Sequence, residues 1–194
     1  MSVMYRPPAP EQWWKSSAFI HLMRGVTLIE LMVTLAIMGI VMALAAPSFQ
    51  ETIANNRTVT VANQLITTLA FARSEAIKRG VQITIKRKGS TSGRWESGWD
   101  VFTDSTGDGT MNGADSILKT YDTLPVGYTL RTVGTYANDW IAYLGTGFSK
   151  GSGTWTNDQT FRLCDSSGST AKSRAITINT LGRATVTEGT VSCP

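Results

Sequence analysis

The acidic residues and the single histidine of the chain limit the chemistry that it could perform. Its 194 residues include 14 Asp and Glu but only one His, His21, which lies in the N-terminal segment. Because no imidazole follows Gly25, the rest of the chain cannot form a Ser-His-Asp triad, a Cys-His pair or a His-ligated zinc site. A membrane-tethered hydrolase would need paired carboxylates, and Glu75, Glu96 and Asp100 are not spaced as such a pair. The sequence therefore predicts no catalytic residues and no enzyme.

One acidic, glycine-rich stretch has the spacing of a calcium-binding loop. In D-S-T-G-D-G-T-M-N-G-A-D, residues 104–115, side-chain oxygens recur at loop positions 1, 3, 5, 9 and 12, with glycine at position 6. The EF-hand loop has this order, and calcium takes about six to eight oxygen ligands. The candidate ligands are Asp104, Thr106, Asp108, Thr110 (through its carbonyl), Asn112 and Asp115. Threonine at position 3, aspartate at position 12 and flanking strands depart from the EF-hand, so an acidic turn that binds nothing is the alternative.

Basic residues could instead contact the phosphate backbone of DNA. The formal net charge is +4, which does not by itself demand nucleic acid. The candidate contacts are Lys86, Arg87, Lys88, Arg174 and Arg183. The side chains that could stack on bases are Trp95, Trp99, Trp140 and Trp155. The alternatives are packing of these tryptophans in the core and solvated lysines that protect strand edges from aggregation.

A single glutamate lies near the start of an apolar segment of bilayer length. Val26 to Ala46 is 21 residues long, and no charge occurs between Leu31 and Ala46. An ionised carboxylate at mid-bilayer costs roughly 2.5–3.5 kcal/mol on the insertion scale, so Glu30 is a functional candidate. The alternative is that Glu30 lies close enough to the lipid headgroups to reach water. Basic residues before the segment place the N-terminus in the cytoplasm and the polar remainder in the periplasm.

The residues around this glutamate, R-G-V-T-L-I-E-L, resemble the processing signal of type IV pilins and type II secretion pseudopilins. The resemblance implies that prepilin peptidase cuts the chain between Gly25 and Val26 and then methylates the new amine of Val26. It also implies that Glu30, about one helical turn away, pairs with that amine or with the amine of a neighbouring subunit during filament assembly. Gly39 and Pro47 match family positions at which the filament helix loosens.

Three further stretches resemble the GspH/FimT subgroup of minor pilins. They are A-N-Q-L-I-T-T-L-A-F-A-R-S-E-A-I-K-R-G at residues 62–80, F-R-L-C-D at 161–165 and I-T-I-N-T-L-G-R at 176–183. Some FimT-like minor pilins bind DNA and share a C-terminal Gly-Arg-x-Arg motif. Residues 182–185 of this chain are Gly-Arg-Ala-Thr, so the second arginine of that motif is missing.

The two cysteines, Cys164 and Cys193, both lie near the C-terminus. An exported domain would oxidise them, and the resulting loop of about 30 residues would be worth about 3–4 kcal/mol in the chain-entropy model. The family's habit of C-terminal disulfides supports this pairing. Two idle thiols in a cytosolic protein are the alternative.

The elements that carry these residues can be predicted from hydrophobic periodicity. Apolar residues at 62, 65, 69, 72 and 76 form one helical stripe, and Gly80 after two basic residues is a helix stop. Pro47 should bend this helix. Alternation and turn residues predict eight strands: Val81–Lys86, Trp99–Phe102, Ile117–Tyr121, Tyr128–Val133, Trp140–Leu144, Thr160–Leu163, Arg174–Ile178 and Arg183–Val186. Residues 151–158 are predicted to be a surface loop.

The sequence thus predicts an α+β, pilin-like protein in which a long N-terminal transmembrane helix packs on an antiparallel β-sheet head domain. We expect a leader at 1–25, a helix at 26–80 that spans the membrane at 26–46, and a periplasmic head at 81–194. The resemblance implies a minor pilin or pseudopilin near a filament tip, where it helps to initiate assembly. Its expected partners are prepilin peptidase, other pilins or pseudopilins and the inner membrane. A DNA-binding minor pilin acting in DNA uptake is the alternative, and a structural calcium ion is the one cofactor considered.

Overall fold

One long helix lies near the start of the part of the chain that the structure describes. The computed structural model describes residues 25–133, 139–153, 158–189 and 191–193. Helix α1, Leu28–Arg79, begins after Thr27, whose hydroxyl oxygen accepts a hydrogen bond from the backbone N–H of Glu30 at 3.3 Å. Thr-x-x-Glu is the sequence of a capping box. The helix ends as predicted, because Gly80 adopts a left-handed conformation with φ +69° that terminates helices.

Within the described residues, nine strands follow the helix and form two antiparallel sheets. They are β1 Gln82–Arg87, β2 Trp99–Asp104, β3 Ile117–Tyr121, β4 Thr129–Val133, β5 Trp140–Tyr143, β6 Ser149–Gly151, β7 Gln159–Cys164, β8 Arg174–Ile178 and β9 Ala184–Glu188. The first sheet has the order β3-β2-β1-β5-β6, and the second has the order β4-β7-β8-β9. All eight predicted strands are present. Strand β6 was not predicted, and Gly151, expected to begin a loop, belongs to it; residues 154–157 of that loop lie outside the described residues.

The chain divides into two compact units within α1, between Leu44 and Ala45. In the first unit, the described residues form a helical segment with exposed apolar side chains, long and apolar enough to cross a membrane by length and composition. In the second unit, the remainder of α1 packs on both sheets. The expected division at residue 80 therefore differs from the compact units, because the later part of the helix contributes to the core of the head. The helix continues through Gly39 and Pro47, and their loosening in a filament stays a prediction.

The core of the second unit lies between α1 and the two sheets. The predicted stripe is confirmed, since Ala62, Leu65, Leu69, Ala72 and Ala76 are all buried. Opposite this stripe, the buried indole of Trp95 meets the ring of Phe161 edge-on, with 5.0 Å between ring centroids. Trp99 is also buried, and its indole N–H donates a hydrogen bond to the hydroxyl of Thr68 at 3.4 Å. Because Trp95 and Trp99 are core residues, the suggestion that they stack on nucleic-acid bases is wrong.

The predicted disulfide is confirmed. Cys164, the last residue of β7, is bonded to Cys193, with a Cα–Cα distance of 5.8 Å. The bond fastens the C-terminal segment to the end of a strand that lies inside the second sheet. Trp155 lies outside the described residues, so the structure does not bear on its predicted role.

Candidate functional site

The first candidate site is the start of α1, where Glu30 lies among apolar neighbours. The apolar residues Val26, Leu28, Ile29 and Leu31 are all more than half exposed. A carboxylate in the first turn is favoured by the positive end of the helix dipole, and the cap from Thr27 fixes where that turn begins. Gly25 and Val26 precede the helix in non-helical backbone. A cation brought to this turn would therefore find one acidic side chain on an otherwise apolar surface.

The second candidate site is the acidic loop after β2, where Asp104 is 1% exposed. Its Oδ2 accepts hydrogen bonds from Gln82 Nε2 at 2.9 Å, Thr84 Oγ1 at 2.7 Å and the Gly109 N–H at 2.8 Å. Its Oδ1 accepts the N–H of Gly107 at 2.7 Å. Both carboxylate oxygens thus point at hydrogen-bond donors, which join β1, β2 and the loop to one another.

The other acids of this loop are used in the same way. Asp115 accepts the backbone N–H groups of Ser105 and Asn112, each at 2.9 Å, and these hydrogen bonds, Asn112 first, lower the pKa of the Asp115 carboxyl. Asp108 accepts the N–H of Thr110 at 2.7 Å. Asn112 donates through its amide to Thr106 Oγ1 and to the Thr110 carbonyl. The side chains predicted to bind calcium therefore form hydrogen bonds within their own loop.

This arrangement does not fit a calcium ion. Within the described ranges, no group of three His, Cys, Asp or Glu side chains is placed to hold a metal. A cation at Asp104 would face the same N–H and O–H groups that point their positive ends at its oxygens. Spacing along the chain indicated six oxygens, but the fold turns the carboxylates toward donors instead of toward a common centre.

A melting experiment decides whether calcium binds. Calcium at about 5 mM saturates even a weak extracellular site. We expect this concentration to shift the melting temperature of the protein by less than about 1 °C relative to EGTA. Magnesium at the same concentration is the control for ionic strength. A saturable, calcium-specific rise of several degrees would show that the loop opens to take the ion.

Most of the basic candidates for DNA contacts are engaged inside the fold. Arg87 pairs with Asp139 and donates to the carbonyl of Gly89. Lys88 Nζ donates to the carbonyl of Tyr121 at 2.9 Å. Arg174 is 5% exposed and its interactions, described below, tie the second sheet to α1. These three residues are therefore poor phosphate contacts.

Lys86 and Arg183, the other two DNA candidates, do not form one patch with each other. Lys86 lies in β1 of the first sheet, whereas Arg183 precedes β9 of the second sheet. Trp140 is half-buried and packs against Gly109, where an added Cβ would lie 2.1 Å from the indole nitrogen. Lys86, Arg87 and Trp140 line one small pocket, but Arg174 and Arg183 lie in and beside the second sheet. The described residues therefore do not bring all five predicted DNA contacts to one surface.

Sequence reasoning missed a groove between α1 and the turn before β9. The groove has a volume of about 490 Å³, and its lining includes Ile66, Ala70, Arg73, Ile77, Tyr143 and Ala184. Tyr143 donates through its hydroxyl to the Gly182 carbonyl at 3.3 Å, and burial raises its pKa to about 12. A signal for the groove was present, because positions 66, 70, 73 and 77 repeat at helical spacing beside the core stripe.

The helix, the sheets and these sites define a structural protein of the pilin type. An apolar N-terminal helix continues into a head of two antiparallel sheets, and Asp104, Asp108 and Asp115 of the head accept structural hydrogen bonds. The family described as Type II transport protein GspH matches residues 61–182, and the prokaryotic N-terminal methylation motif matches residues 21–46. Because the first match covers more than half of the chain, the chain belongs to the GspH family. Pilins and pseudopilins are structural components, and this chain is not an enzyme.

Solved structures of one type IV minor pilin show the same fold. The type IV minor pilin FimU of Pseudomonas aeruginosa is 20% identical, and the match covers 71% of this chain and 92% of FimU with a TM-score of 0.55. A second crystal form of FimU gives a TM-score of 0.50. The minor pseudopilin EpsH of Vibrio cholerae is 14% identical, with a TM-score of 0.46 over 68% of this chain and 97% of EpsH. No curated protein sequence matches the chain.

Proposed function

We propose that the protein is a minor pilin or pseudopilin that enters a type IV pilus or type II secretion filament through α1, near the tip, and helps to initiate assembly. The observation that carries this proposal is the exposed apolar start of α1 with Glu30 in its first turn, inside the segment that matches the methylation motif. An exposed apolar surface of this length needs either lipid or the helices of other subunits.

Maturation would expose the amine that Glu30 needs. In this proposal, prepilin peptidase removes residues 1–25 and methylates Val26, which leaves a cation about one turn from the acid. At low dielectric the ion pair between Glu30 and the Val26 amine is favourable, whereas an unpaired carboxylate is unfavourable. Subunits are therefore held in the one register that forms the pair. The head lies in the periplasm and the N-terminus faces the cytoplasm; the Cys164–Cys193 disulfide supports an oxidising compartment for the head.

The mass and N-terminal sequence of the protein from its native membrane test this proposal. We expect a chain that begins at Val26 and carries one added methyl group. Gly25→Val should leave the leader attached, because a branched side chain at the cut obstructs the peptidase. Gly39→Val is the matched control, since both glycines have open space around an added Cβ and Gly39 lies away from the cut. If the unaltered protein, with Gly25, still carried residues 1–25 in the membrane, the proposal would be contradicted.

DNA uptake is the alternative function predicted from the sequence, and the internal partners of Arg87, Lys88 and Arg174 give it no support. Its test is binding of duplex DNA to the full chain in detergent across a salt series. The proposed structural role predicts weak binding that Arg183→Ala leaves unchanged. Tight, salt-dependent binding that is lost in Arg183→Ala would favour the alternative.

A further inference from the structure

The second sheet ends in a strand whose outer edge has no partner strand among the described residues. Of the strands that the structure describes, β9 pairs only with β8. At the opposite end of the same sheet, β4 is covered by residues 93–95. There, the N–H of Trp95 donates to the Leu130 carbonyl at 2.8 Å, and the N–H of Thr132 donates to the Gly93 carbonyl at 3.1 Å. The edge at β9 lacks such a cover in the part of the chain that the structure describes.

The edges of the first sheet differ from β9 as well. Strand β6 is held by the turn before β9, because the N–H of Ser149 donates to the Thr180 carbonyl at 3.2 Å. Strand β3 carries Lys119 in its centre, and its partner β2 has an irregularity between Val101 and Phe102. A lysine and a bulge are devices that prevent edge pairing. Strand β9, with the sequence Ala-Thr-Val-Thr-Glu, has neither a lysine nor a proline.

The hydrogen bonds at both ends of β9 show which backbone groups face outward. The N–H of Asn179 donates to the Arg183 carbonyl and the N–H of Gly189 donates to the Ser173 carbonyl, each at 3.0 Å. Because antiparallel pairs alternate, the odd-numbered residues of this segment face β8 and the even-numbered residues face away. The outward groups are therefore the N–H and C=O of Ala184, Val186 and Glu188.

The same strand leaves a trough between the sheet and α1. Ala184 lines the apolar groove at one end of β9. At the other end, Glu188 pairs with Arg174 at 3.1 Å, and Arg174 also donates to Asn55 of α1 at 3.1 Å. Val186, between them on the same face, is 40% exposed. One more strand beside β9 would extend the sheet over this part of the helix.

The apolar groove indicates the side chains that such a strand should carry. Its walls include Ile66, Leu69 and Ile77, which suit a large apolar side chain. Arg73 reaches into the same groove, where its Nη2 donates to the Leu181 carbonyl at 3.0 Å, whereas its buried Nε has no hydrogen-bond partner among the described residues. The exposed Arg183 lies beside it. A carboxylate two residues from the apolar side chain lies on the same face of a strand, where it would meet the charges of Arg73 and Arg183.

We propose that β9 accepts an extended segment of a neighbouring filament subunit as a fifth strand of the second sheet. A large apolar side chain of that segment fills the groove beside Ala184, and a carboxylate two residues along, on the same face of the added strand, binds Arg73 and Arg183. Main-chain hydrogen bonds supply affinity in strand addition, and the pocket supplies specificity. That the partner is a filament subunit rests on the proposed function, whereas the added strand and its chemistry rest on the structure of the head.

Hydrogen exchange with a defined peptide tests this surface. The probe is a synthetic peptide of alternating threonine and valine that ends in phenylalanine, threonine and aspartate, so that phenylalanine and aspartate share one face; it is added to the full chain in detergent micelles. We expect the amides of Ala184, Val186 and Glu188 to exchange at least tenfold more slowly with the peptide. Replacing the peptide's aspartate by lysine should weaken binding at least tenfold. Unchanged exchange at millimolar peptide, or slowing at β3 instead of β9, would overturn the proposal.

Two variants separate binding from folding. Val186→Pro removes an outward N–H and spares the ladder to β8, so the peptide should no longer slow exchange at Ala184 and Glu188 while the core amides stay protected. Ala70→Trp fills the groove from α1 and should weaken peptide binding at least tenfold. This variant tests the proposal independently if Val186→Pro does not fold. Equal binding to Ala70→Trp would contradict the proposal.

Two further outcomes are distinguishable from these. Slow exchange of the three β9 amides in concentrated protein without peptide would show that a second copy occupies the edge, and it would overturn the choice of partner. Peptide binding by a protein that is never cleaved before Val26 would leave the strand site intact and remove the filament role.

Discussion

Replacing Asp104 by alanine is expected to lower the free energy of unfolding by about 3–5 kcal/mol, since each buried donor left without its acceptor costs about 1–3 kcal/mol. The carboxylate is buried and accepts from Gln82, Thr84 and Gly109 through one oxygen. Alanine would leave these donors facing a small cavity. Urea unfolding followed by tryptophan fluorescence measures the loss, because Trp95 and Trp99 lie in the core.

Asp108→Ala is the control for this prediction. Asp108 belongs to the same loop and was also a candidate calcium ligand, but it is exposed and accepts one backbone hydrogen bond, from Thr110. We expect its replacement to cost less than about 1 kcal/mol, as exposed substitutions away from buried networks usually do. If both variants lost the same free energy of unfolding, and only when calcium is present, the two acids would be acting through a cation.

The large effect expected for Asp104 follows from what the loop holds together. Gly109, whose N–H bonds the Asp104 carboxylate, has a left-handed conformation with φ +75° and lies against the Trp140 indole of β5. Lys150 of β6 donates to the Gly107 carbonyl at 2.8 Å. The carboxylate thus positions a loop that contacts three strands of the first sheet, and we expect its loss to loosen that whole edge.

Helices and most strands could be predicted because their signals are local. The core stripe of α1 repeats every three or four residues. Strand β8, Arg174–Ile178, is a short alternating segment with turn residues on both sides. Strand β6 was missed because Ser149–Gly151 is three residues long and contains no apolar side chain. Its place is set by β5 and by the carbonyl of Thr180, which no local pattern contains.

The sites were harder to predict because they depend on contacts between distant residues. The spacing of Asp104 to Asp115 shows where the oxygens lie along the chain but not where Gln82 and Thr84 place their donors. Arg174 is basic in sequence, yet Asn55 lies 119 residues earlier and the pairing with Glu188 needs the β8–β9 hairpin. Likewise, the free edge of β9 is a property of strand order, and only the assembled sheet shows it.

The second large effect is expected at Glu30, where glutamine should reduce incorporation into filaments at least tenfold. Glutamine keeps the length of the side chain, and the N-terminal cap is retained because Thr27 bonds the backbone N–H of residue 30. The change therefore removes the charge and little else. Opposite charges 4 Å apart at an effective dielectric constant of about 20 interact by about 4 kcal/mol, so losing the pair with the Val26 amine should outweigh the gain from a neutral side chain in lipid.

Fractionation measures this effect, as the share of the protein in sheared fibres relative to the membrane. Glu51→Gln is the matched control, because Glu51 is also a glutamate of α1 but is exposed and meets Lys172 only at 3.8 Å; it should incorporate normally. Mass analysis must show that both variants are cleaved before Val26, since a failure of maturation would mimic a failure of assembly. If cleaved Glu30→Gln protein enters fibres as well as the unaltered chain does, the charge at this turn does not set the register, and apolar contacts along α1 must hold the subunits together.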